Sequence, residues 1–289
     1  MKIMARQYFN KKHYIIDEEK RVVILLPEFY NQLRTFDKWK GYKKIGGSSV
    51  GDILTPGRFK SEFNAFCHIT RLKIPVLSKK YINAGTILEP KIFDIFRNSP
   101  QVKKRGITIE NYVASEYDYD YFKNVDDVLS GVPDGFDPIN KVIYEVKTAG
   151  EAKKEKWDNE GVDPSYLKQA QLYTYLMSKK IGQNVDFYSI LVAFLSDEKG
   201  DYLDPANVDL NQRYMKVYSR KVNKVEVEDD IRIVREWYKK YTNTDTSPQF
   251  DFSNDADQLD FLRCENQEQY QELIKKWKDS GKADSDFIG

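Results

Sequence analysis

Two carboxylates and a lysine lie close together in residues 131–148, at spacings that suit phosphodiester chemistry. Asp134 follows a proline and precedes a glycine, and Glu145 and Lys147 are two residues apart at the end of an apolar run. Side chains alternate along a strand, so Glu145 and Lys147 share one face. Two unpaired acids resist burial, and a hard divalent cation such as Mg²⁺ relieves their repulsion. An ammonium about 7 Å along the same strand lies within reach of an attacking water or a charged phosphate.

The residues between the two acids predict how they come together. The segment Asp137-Pro138-Ile139-Asn140 has the composition of a β-turn, so residues 131–136 and 141–147 are expected to pair as an antiparallel hairpin. Pairing Asp137 with Asn140 places Asp134 opposite Ile143, with Glu145 as a diagonal neighbour at roughly 7 to 8 Å. The alternative is a solvated hairpin with an ordinary ion pair.

A glycine turn and a helix start form a second candidate site. Gly46-Gly47 is followed by Ser48 and Ser49, either of which suits the N-cap of a helix that runs to residue 54. Backbone N–H groups and the helix dipole favour an anion there, and two preceding lysines add attraction. The predicted phosphate-binding residues are Ser48, Ser49, Lys43 and Lys44. The alternative is a capped helix without a ligand.

Two further helices are predicted on either side of the carboxylate motif. Apolar residues recur at helical spacing over 83–96, and Glu89 lies beside that stripe. Asp163-Pro164 is a typical helix start, and Gln169 and Tyr173 then share one helical face with Tyr166. Leu172 and Leu176 also suit a helix that packs on a core.

Residues 131–148 contain Pro-Asp, then a spacer, then Glu-x-Lys. This order resembles the signature of the PD-(D/E)XK nucleases. Three further motifs accompany this signature in the chain order expected of one nuclease subgroup: the glycine turn, Gly85-x-x-x-Glu89 and Gln169-x-x-x-Tyr173. Residues 43–177 therefore resemble the YqaJ-like viral recombinase nucleases, which are related to phage lambda exonuclease. This resemblance implies an α/β fold with a restriction-endonuclease-like core, in which a mixed central β-sheet is flanked by helices.

The same resemblance implies roles for individual residues. Metal ligands would be Glu89, Asp134, Glu145 and the Val146 carbonyl, for Mg²⁺ or, as an alternative, Mn²⁺. Lys147 would be the catalytic lysine, and Gln169 and Tyr173 would orient water, substrate or that lysine. Ser48 would contact a phosphate. No arginine stands shortly before Ile45, where the lambda-like enzymes use one for the terminal phosphate, so a lysine such as Lys40, Lys43 or Lys44 would have to substitute.

The resulting prediction is a metal-dependent deoxyribonuclease, a 5'-to-3' exonuclease on duplex DNA in recombination or repair. A structure-specific or restriction-type endonuclease would share every residue named above. A non-catalytic nucleic-acid-binding module would not need Asp134, Glu145 and Lys147 together. The expected partner is duplex DNA with a free end. A single-strand annealing protein and a homo-oligomer stay open as further partners.

Composition sets the outer limits of this prediction. The 289 residues carry a formal net charge of +1, so positive charge is local, as in Lys103-Lys104-Arg105. Two cysteines and two histidines exclude a disulfide framework and a histidine-rich metal site. With no apolar segment of about 18 residues and no signal-type N-terminus, the expectation is a cytoplasmic protein without membrane contact. The expected organisation is one nuclease domain over 1–248, with a core at about 43–241, and a polar, partly flexible helical extension over 249–289.

Overall fold

A computed structural model describes residues 6–35, 37–57 and 60–289. The described residues fall into two compact units, each assembled from segments that are distant in the sequence. The first unit takes its residues from Met1–Ile45, Asp52–Lys79 and Arg232–Gly289, and the second from Gly46–Gly51 and Lys80–Ile231.

The described part of the chain contains seven strands and ten α-helices. The strands are β1 (Tyr14–Asp17), β2 (Val22–Leu25), β3 (Glu110–Asn111), β4 (Gly135–Asp137), β5 (Val142–Gly150), β6 (Phe187–Leu195) and β7 (Met215–Lys221). The helices are α1 (Pro27–Leu33), α2 (Gly47–Leu54), α3 (Glu62–Ile69), α4 (Lys80–Asn98), α5 (Pro100–Lys104), α6 (Lys154–Glu160), α7 (Pro164–Ile181), α8 (Lys224–Thr242), α9 (Ala256–Arg263) and α10 (Gln267–Asp279).

The second unit is built on a five-stranded mixed sheet with the order β3-β4-β5-β6-β7. Strands β5 and β6 are parallel and the other neighbouring pairs are antiparallel. The parallel pair is joined through α6 and α7, as parallel neighbours require a crossover. Tyr144 and Val146 of β5 pack with Leu88 and Ile92 of α4, whereas α7 contacts β5 and β6 from the opposite face. The predicted α/β fold with a mixed central sheet flanked by helices is confirmed.

The predicted hairpin between β4 and β5 forms, but its register differs by two residues. Phe136 pairs with Ile143 and Asp137 with Val142, so a four-residue loop replaces the predicted turn. The Asp137 carboxylate stabilises this loop by accepting hydrogen bonds from the Ile139 and Asn140 backbone N–H groups, both at 2.9 Å. A shift of two residues keeps every side chain on its predicted face. The shift does move Asp134 from a diagonal position to one opposite Glu145.

The first unit includes residues on both sides of position 248, where the sequence predicts a domain boundary. Residues beyond it are integral to this unit: the Phe250 N–H donates to the Arg21 carbonyl at 2.8 Å, and the Tyr14 hydroxyl donates to the Leu262 carbonyl at 2.8 Å. Trp277 of α10 is 2% exposed. Residues of 249–289 therefore pack into the first unit, and the predicted division into a nuclease domain and an extension stays a prediction. Apolar residues that are sparse in sequence complete a core contributed mostly by other segments, which local composition does not reveal.

Candidate active site

The two acids and the lysine converge at the point where the β4–β5 hairpin enters the sheet. Lys147 Nζ lies 3.0 Å from Glu145 Oε2 and 3.8 Å from Asp134 Oδ2. The Glu145 side chain is fully buried, whereas the side chains of Asp134 and Lys147 keep 22% and 16% of their surface exposed. The three groups thus form a partly open cluster, with Lys147 between the two carboxylates.

Backbone hydrogen bonds hold the carboxylates in this arrangement. The Val146 N–H donates to Asp134 Oδ2 at 2.7 Å, and the Asp134 N–H donates to Glu145 Oε1 at 3.4 Å. The Asp134 carboxylate is therefore bonded to β5, and the Glu145 carboxylate to the residue that directly precedes β4. The register of the hairpin, set by the Asp137 loop, determines that these two residues stand opposite each other.

Negative charge exceeds positive charge in this cluster. Burial and the Asp134 carboxylate together raise the pKa of Glu145 above its ordinary value. The same two causes raise the pKa of Glu89 on α4 to about 7. Burial alone would lower the pKa of Lys147, but the carboxylates of Glu145 and Asp134 outweigh it and raise that pKa. Three carboxylates within electrostatic range of one ammonium leave an uncompensated charge that favours a cation.

Helix α7 adds an amide and a phenol to the cluster. The helix begins as predicted, with the Asp163 carboxylate accepting a hydrogen bond from the Ser165 N–H at 3.0 Å. Gln169 Nε2 then donates to Glu145 Oε2 at 2.8 Å. Tyr173 is 4% exposed, and burial raises the pKa of its hydroxyl well above the ordinary value. The amide of Gln169 and the ammonium of Lys147 therefore both donate to the same carboxylate oxygen of Glu145.

The predicted glycine turn lies against this helix. A Cβ added to Gly47 would stand 2.2 Å from Tyr173 Oη and 2.9 Å from Gln169 Cγ. Gly131, which has a φ of +137°, also lies against this ring, with its added Cβ 2.6 Å from Tyr173 Cε1. Tyr173 therefore packs against both the start of α2 and the segment that leads to Asp134. This close packing requires glycine at both positions.

The start of α2 corrects the predicted N-cap. The helix begins at Gly47, so Ser48 and Ser49 lie inside its first turn and Gly46 stands at the cap position. The Ser49 hydroxyl accepts a hydrogen bond from the Gly46 N–H at 2.9 Å, in the manner of a capping box. Ser49 is buried and its hydroxyl takes part in this bond, and a phosphate contact through this side chain stays a prediction.

The other predicted phosphate-binding residues have different positions. Ser48 is exposed at the same turn, within the second unit. Lys43 and Lys44 belong to the first unit, in which the Lys43 N–H donates to the Ile69 carbonyl at 2.9 Å. A phosphate contact by any of these three residues stays a prediction.

Tyr166, which the sequence motifs do not assign to the site, also contacts it. The ammonium of Lys147 lies 5.5 Å from the centre of the Tyr166 ring, a distance typical of a cation–π contact. Tyr166 in turn packs edge-on against Trp157. Its position three residues before Gln169 on the same helical face was the available signal.

The donor set fits a hard divalent cation by its chemistry. Asp134 and Glu145 supply carboxylate oxygens from neighbouring strands, and Glu89 is close enough for Asp134 to raise its pKa. In residues 6–35, 37–57 and 60–289, however, no group of three or more His, Cys, Asp or Glu side chains has the geometry of a metal site. The assignment of Glu89, Asp134, Glu145 and the Val146 carbonyl as ligands stays a prediction.

Comparisons with known proteins give the following likenesses. No model of a known protein family matches this sequence. An uncharacterized protein of Mycoplasma pneumoniae (strain ATCC 29342 / M129 / Subtype 1), described as an MG373 homolog, is 24% identical in an alignment 256 residues long, which covers 74% of this chain and 86% of the relative. The crystal structure of an alkaline exonuclease from Laribacter hongkongensis has a TM-score of 0.47 at 13% identity, covering 75% of this chain and 92% of that one.

A phage-related exonuclease from Haemophilus somnus 129PT has a TM-score of 0.41 at 15% identity, covering 70% of this chain and 94% of that one. With TM-scores below 0.5, the interpretation of the site rests on its own side chains. In the described part of the chain, no helix combines the length and the apolar character needed to cross a membrane.

Proposed function

We propose that this chain is a divalent-metal-dependent DNA nuclease that hydrolyses phosphodiester bonds. One observation carries the proposal: the carboxylates of Asp134 and Glu145 stand opposite each other and converge on the ammonium of Lys147. A cluster with excess buried negative charge is costly for stability, and its retention is explained by a cation that the cluster binds. This combination favours phosphoryl chemistry over a structural ion pair.

Mg²⁺, or Mn²⁺ as an alternative, would be held by Asp134, Glu145 and the Val146 carbonyl, with Glu89 as a further ligand. When bound, such an ion polarises a phosphate oxygen and lowers the pKa of a bound water. Its entry would relieve the repulsion that raises the pKa values of Glu89 and Glu145.

The protein side chains have separate tasks in this proposal. Lys147 stabilises the negative charge that develops on the attacked phosphate as water adds to phosphorus and one ester bond to oxygen breaks. Gln169 restrains Glu145 through its hydrogen bond, and Tyr173 keeps Gln169 and the glycine turn in place by packing. Tyr166 holds the ammonium of Lys147 over its ring.

The proposed mode is a 5'-to-3' exonuclease acting on duplex DNA. It is supported by the position of the α2 helix start against Gln169 and Tyr173, because a helix start with exposed Ser48 suits a terminal phosphate. In this mode a 5'-phosphorylated duplex is degraded faster than a 5'-hydroxyl duplex. Replacing Ser48 by Ala narrows that difference by an amount equivalent to roughly 1 to 2 kcal/mol, since the backbone N–H donors remain.

One experiment tests activity and mode together. End-labelled linear duplex and a closed circular plasmid of the same sequence are incubated with the protein and Mg²⁺, and the products are sized over time. Release of mononucleotides from the linear duplex alone supports the exonuclease. Cleavage of the closed circle supports an endonuclease instead.

Metal binding is tested independently of cleavage. Mg²⁺ or Mn²⁺ should raise the melting temperature of the wild-type protein, because a ligand that binds only the folded state stabilises it. The Asp134→Asn and Glu145→Gln variants should lose both this shift and hydrolysis. A shift that persists unchanged in both variants would contradict the assigned ligands.

A further inference from the structure

An apolar groove lies on the second unit, on the sheet face opposite α7. Its volume is about 570 Å³, within the range of binding sites in proteins. One wall comes from α4 and α5 and the floor from β5, β6 and β7, and we call this space the sheet groove. Representative residues are Ile95, Phe96, Val102, Tyr144, Leu191 and Val217. Val217 is 42% exposed and Phe187, at the rim, is 46% exposed.

The sheet groove adjoins a strand edge that has no neighbour within the described part of the chain. Strand β7 is last in the sheet and pairs only with β6. The Phe194 N–H donates to the Tyr214 carbonyl at 3.0 Å, and the Val222 N–H donates to the Asp186 carbonyl at 2.8 Å. Both bonds involve even-numbered residues that directly flank the two ends of β7. In an antiparallel pair, every second residue of a strand bonds to the neighbouring strand, so the even-numbered residues of β7 bond to β6 along its whole length.

The odd-numbered residues of β7 therefore have two properties at once. Their N–H and C=O groups point away from β6, and the side chains of Met215, Val217 and Ser219 line the sheet groove. On the other face of the strand, Lys216 and Tyr218 contact Asp158 of α6. A chain laid along β7 would thus find backbone partners and apolar pockets along the same line.

Charge narrows the choice of occupant. Arg105 and Lys216 are the charged residues that border the sheet groove, and no carboxylate lines it in the described structure. The Lys216 ammonium itself lies on the other face of β7, where it pairs with Asp158 and where the alternate, outward side chains of an added strand would also lie. Strand β7 also carries Arg220 and Lys221. A second copy of β7 would bring like charges together across the new pair, which is unfavourable. An acidic segment would instead be complementary.

We propose that β7 and the sheet groove form a docking site for an extended, acidic segment of a partner protein, which adds to the sheet as a further strand and places alternate apolar side chains in the groove. A nucleic acid cannot extend a β-sheet through its backbone and is held mainly by positive charge, whereas this site offers a free strand edge and an apolar floor. The inference is independent of the proposed nuclease activity, because it involves none of the residues assigned to that activity.

The test uses a fluorescent synthetic peptide as long as the seven-residue β7, in which Val alternates with Glu. The expected result is binding that weakens as salt is raised, together with slower hydrogen exchange at the Val217 and Ser219 amides. Val217→Pro removes one outward N–H at a position where an edge strand tolerates proline. This variant should weaken binding roughly tenfold or more, about the effect of one hydrogen bond with its apolar contact.

The matched control is Val225→Pro, which changes another exposed valine in the first turn of α8, where proline is also tolerated. This control should bind the peptide as the wild type does, and both variants should cleave DNA at the wild-type rate if the proposed activity is correct. The inference is overturned if the wild type does not bind the peptide or if Val217→Pro binds it unchanged. If Val217→Pro loses oligonucleotide binding, the inference is overturned in favour of nucleic acid as the occupant. If the wild type self-associates with rising concentration and Val217→Pro does not, it is overturned in favour of a second copy of the chain.

Discussion

At the scale of single residues, Lys147 differs in its surroundings from the exposed lysines of the chain. Its side chain is 16% exposed and bonded to Glu145, whereas lysines such as Lys153 are exposed. A buried ammonium held between two carboxylates and over a tyrosine ring has a defined position. A defined position is what electrostatic stabilisation of a transition state requires.

The Lys147→Ala variant should therefore lose about 10² to 10³ in the rate of DNA cleavage. Lys153→Ala, the control, should at most weaken DNA binding in a salt-dependent manner. Single-turnover rates at saturating protein, with circular dichroism to verify folding, measure the difference. Similar small effects of the two substitutions would show that Lys147 is not catalytic.

A second residue-scale prediction concerns His68 in the first unit. Burial and the nearby Lys43 and Lys73 lower the pKa of His68 to about 4, and its Nε2 lies 3.2 Å from the Lys44 carbonyl oxygen. Since the unfolded chain binds a proton near pH 6.5 and the folded chain only near pH 4, acidification through this interval favours unfolding. Above pH 6.5 the histidine is neutral in both states and contributes no pH dependence.

The expected loss from His68 between pH 6.5 and 4 is up to about 3 kcal/mol of unfolding free energy. The His68→Gln variant should show a correspondingly flatter pH dependence in urea unfolding. His13, whose pKa is also lowered by burial, provides the control variant His13→Gln with a smaller change in slope. An unchanged slope in His68→Gln would contradict the prediction.

At the scale of elements, the site depends on close packing between the start of α2 and α7. Gly47 and Gly131 both lie against the Tyr173 ring, so that ring links the two segments that carry Ser48 and Asp134. Among the described residues, no atom outside the helix backbone lies within 4 Å of a Cβ added to Gly85 in α4. A side chain at Gly47 or Gly131 would therefore clash with Tyr173, whereas one at Gly85 would meet no such obstacle.

Gly47→Ala should displace Tyr173 and Gln169 and reduce cleavage roughly 10- to 100-fold, the effect of a misplacement of about 1 Å. Gly85→Ala should leave cleavage unchanged and raise the unfolding free energy by about 0.5 to 1 kcal/mol, because alanine is the better helix former. Cleavage rates and urea unfolding of both variants measure these outcomes. Full activity of Gly47→Ala would mean that the packing against Tyr173 is not needed.

At the scale of the whole molecule, the chain forms two units from interleaved segments. The first unit requires the C-terminal residues, since Phe250 is 1% exposed and lies 5.5 Å from the Phe63 ring centre, whereas Phe252 is 46% exposed. Phe250→Ala should lower the unfolding free energy by about 3 to 5 kcal/mol. Phe252→Ala, the matched control, should change it by less than about 1 kcal/mol. Equal effects in urea unfolding would show that residues after 248 are an appendage.

The sequence by itself determined the features that depend on local order. The alternation of side chains along β5 predicted that Glu145 and Lys147 share a face. The Asp163-Pro164 pair predicted the start of α7, and the spacing of apolar residues predicted helix α4. These are properties of neighbouring residues, which a strand or helix arranges with its own period.

The tertiary structure alone decided how these pieces meet. The hairpin register depended on the hydrogen bonds of the Asp137 carboxylate, which shifted the pairing by two residues and brought Asp134 opposite Glu145. The packing of Gly47 on Tyr173 and the place of 249–289 in the first unit join residues that are distant in sequence. Such contacts depend on the shape and burial of both partners, and neither partner's local sequence encodes the other.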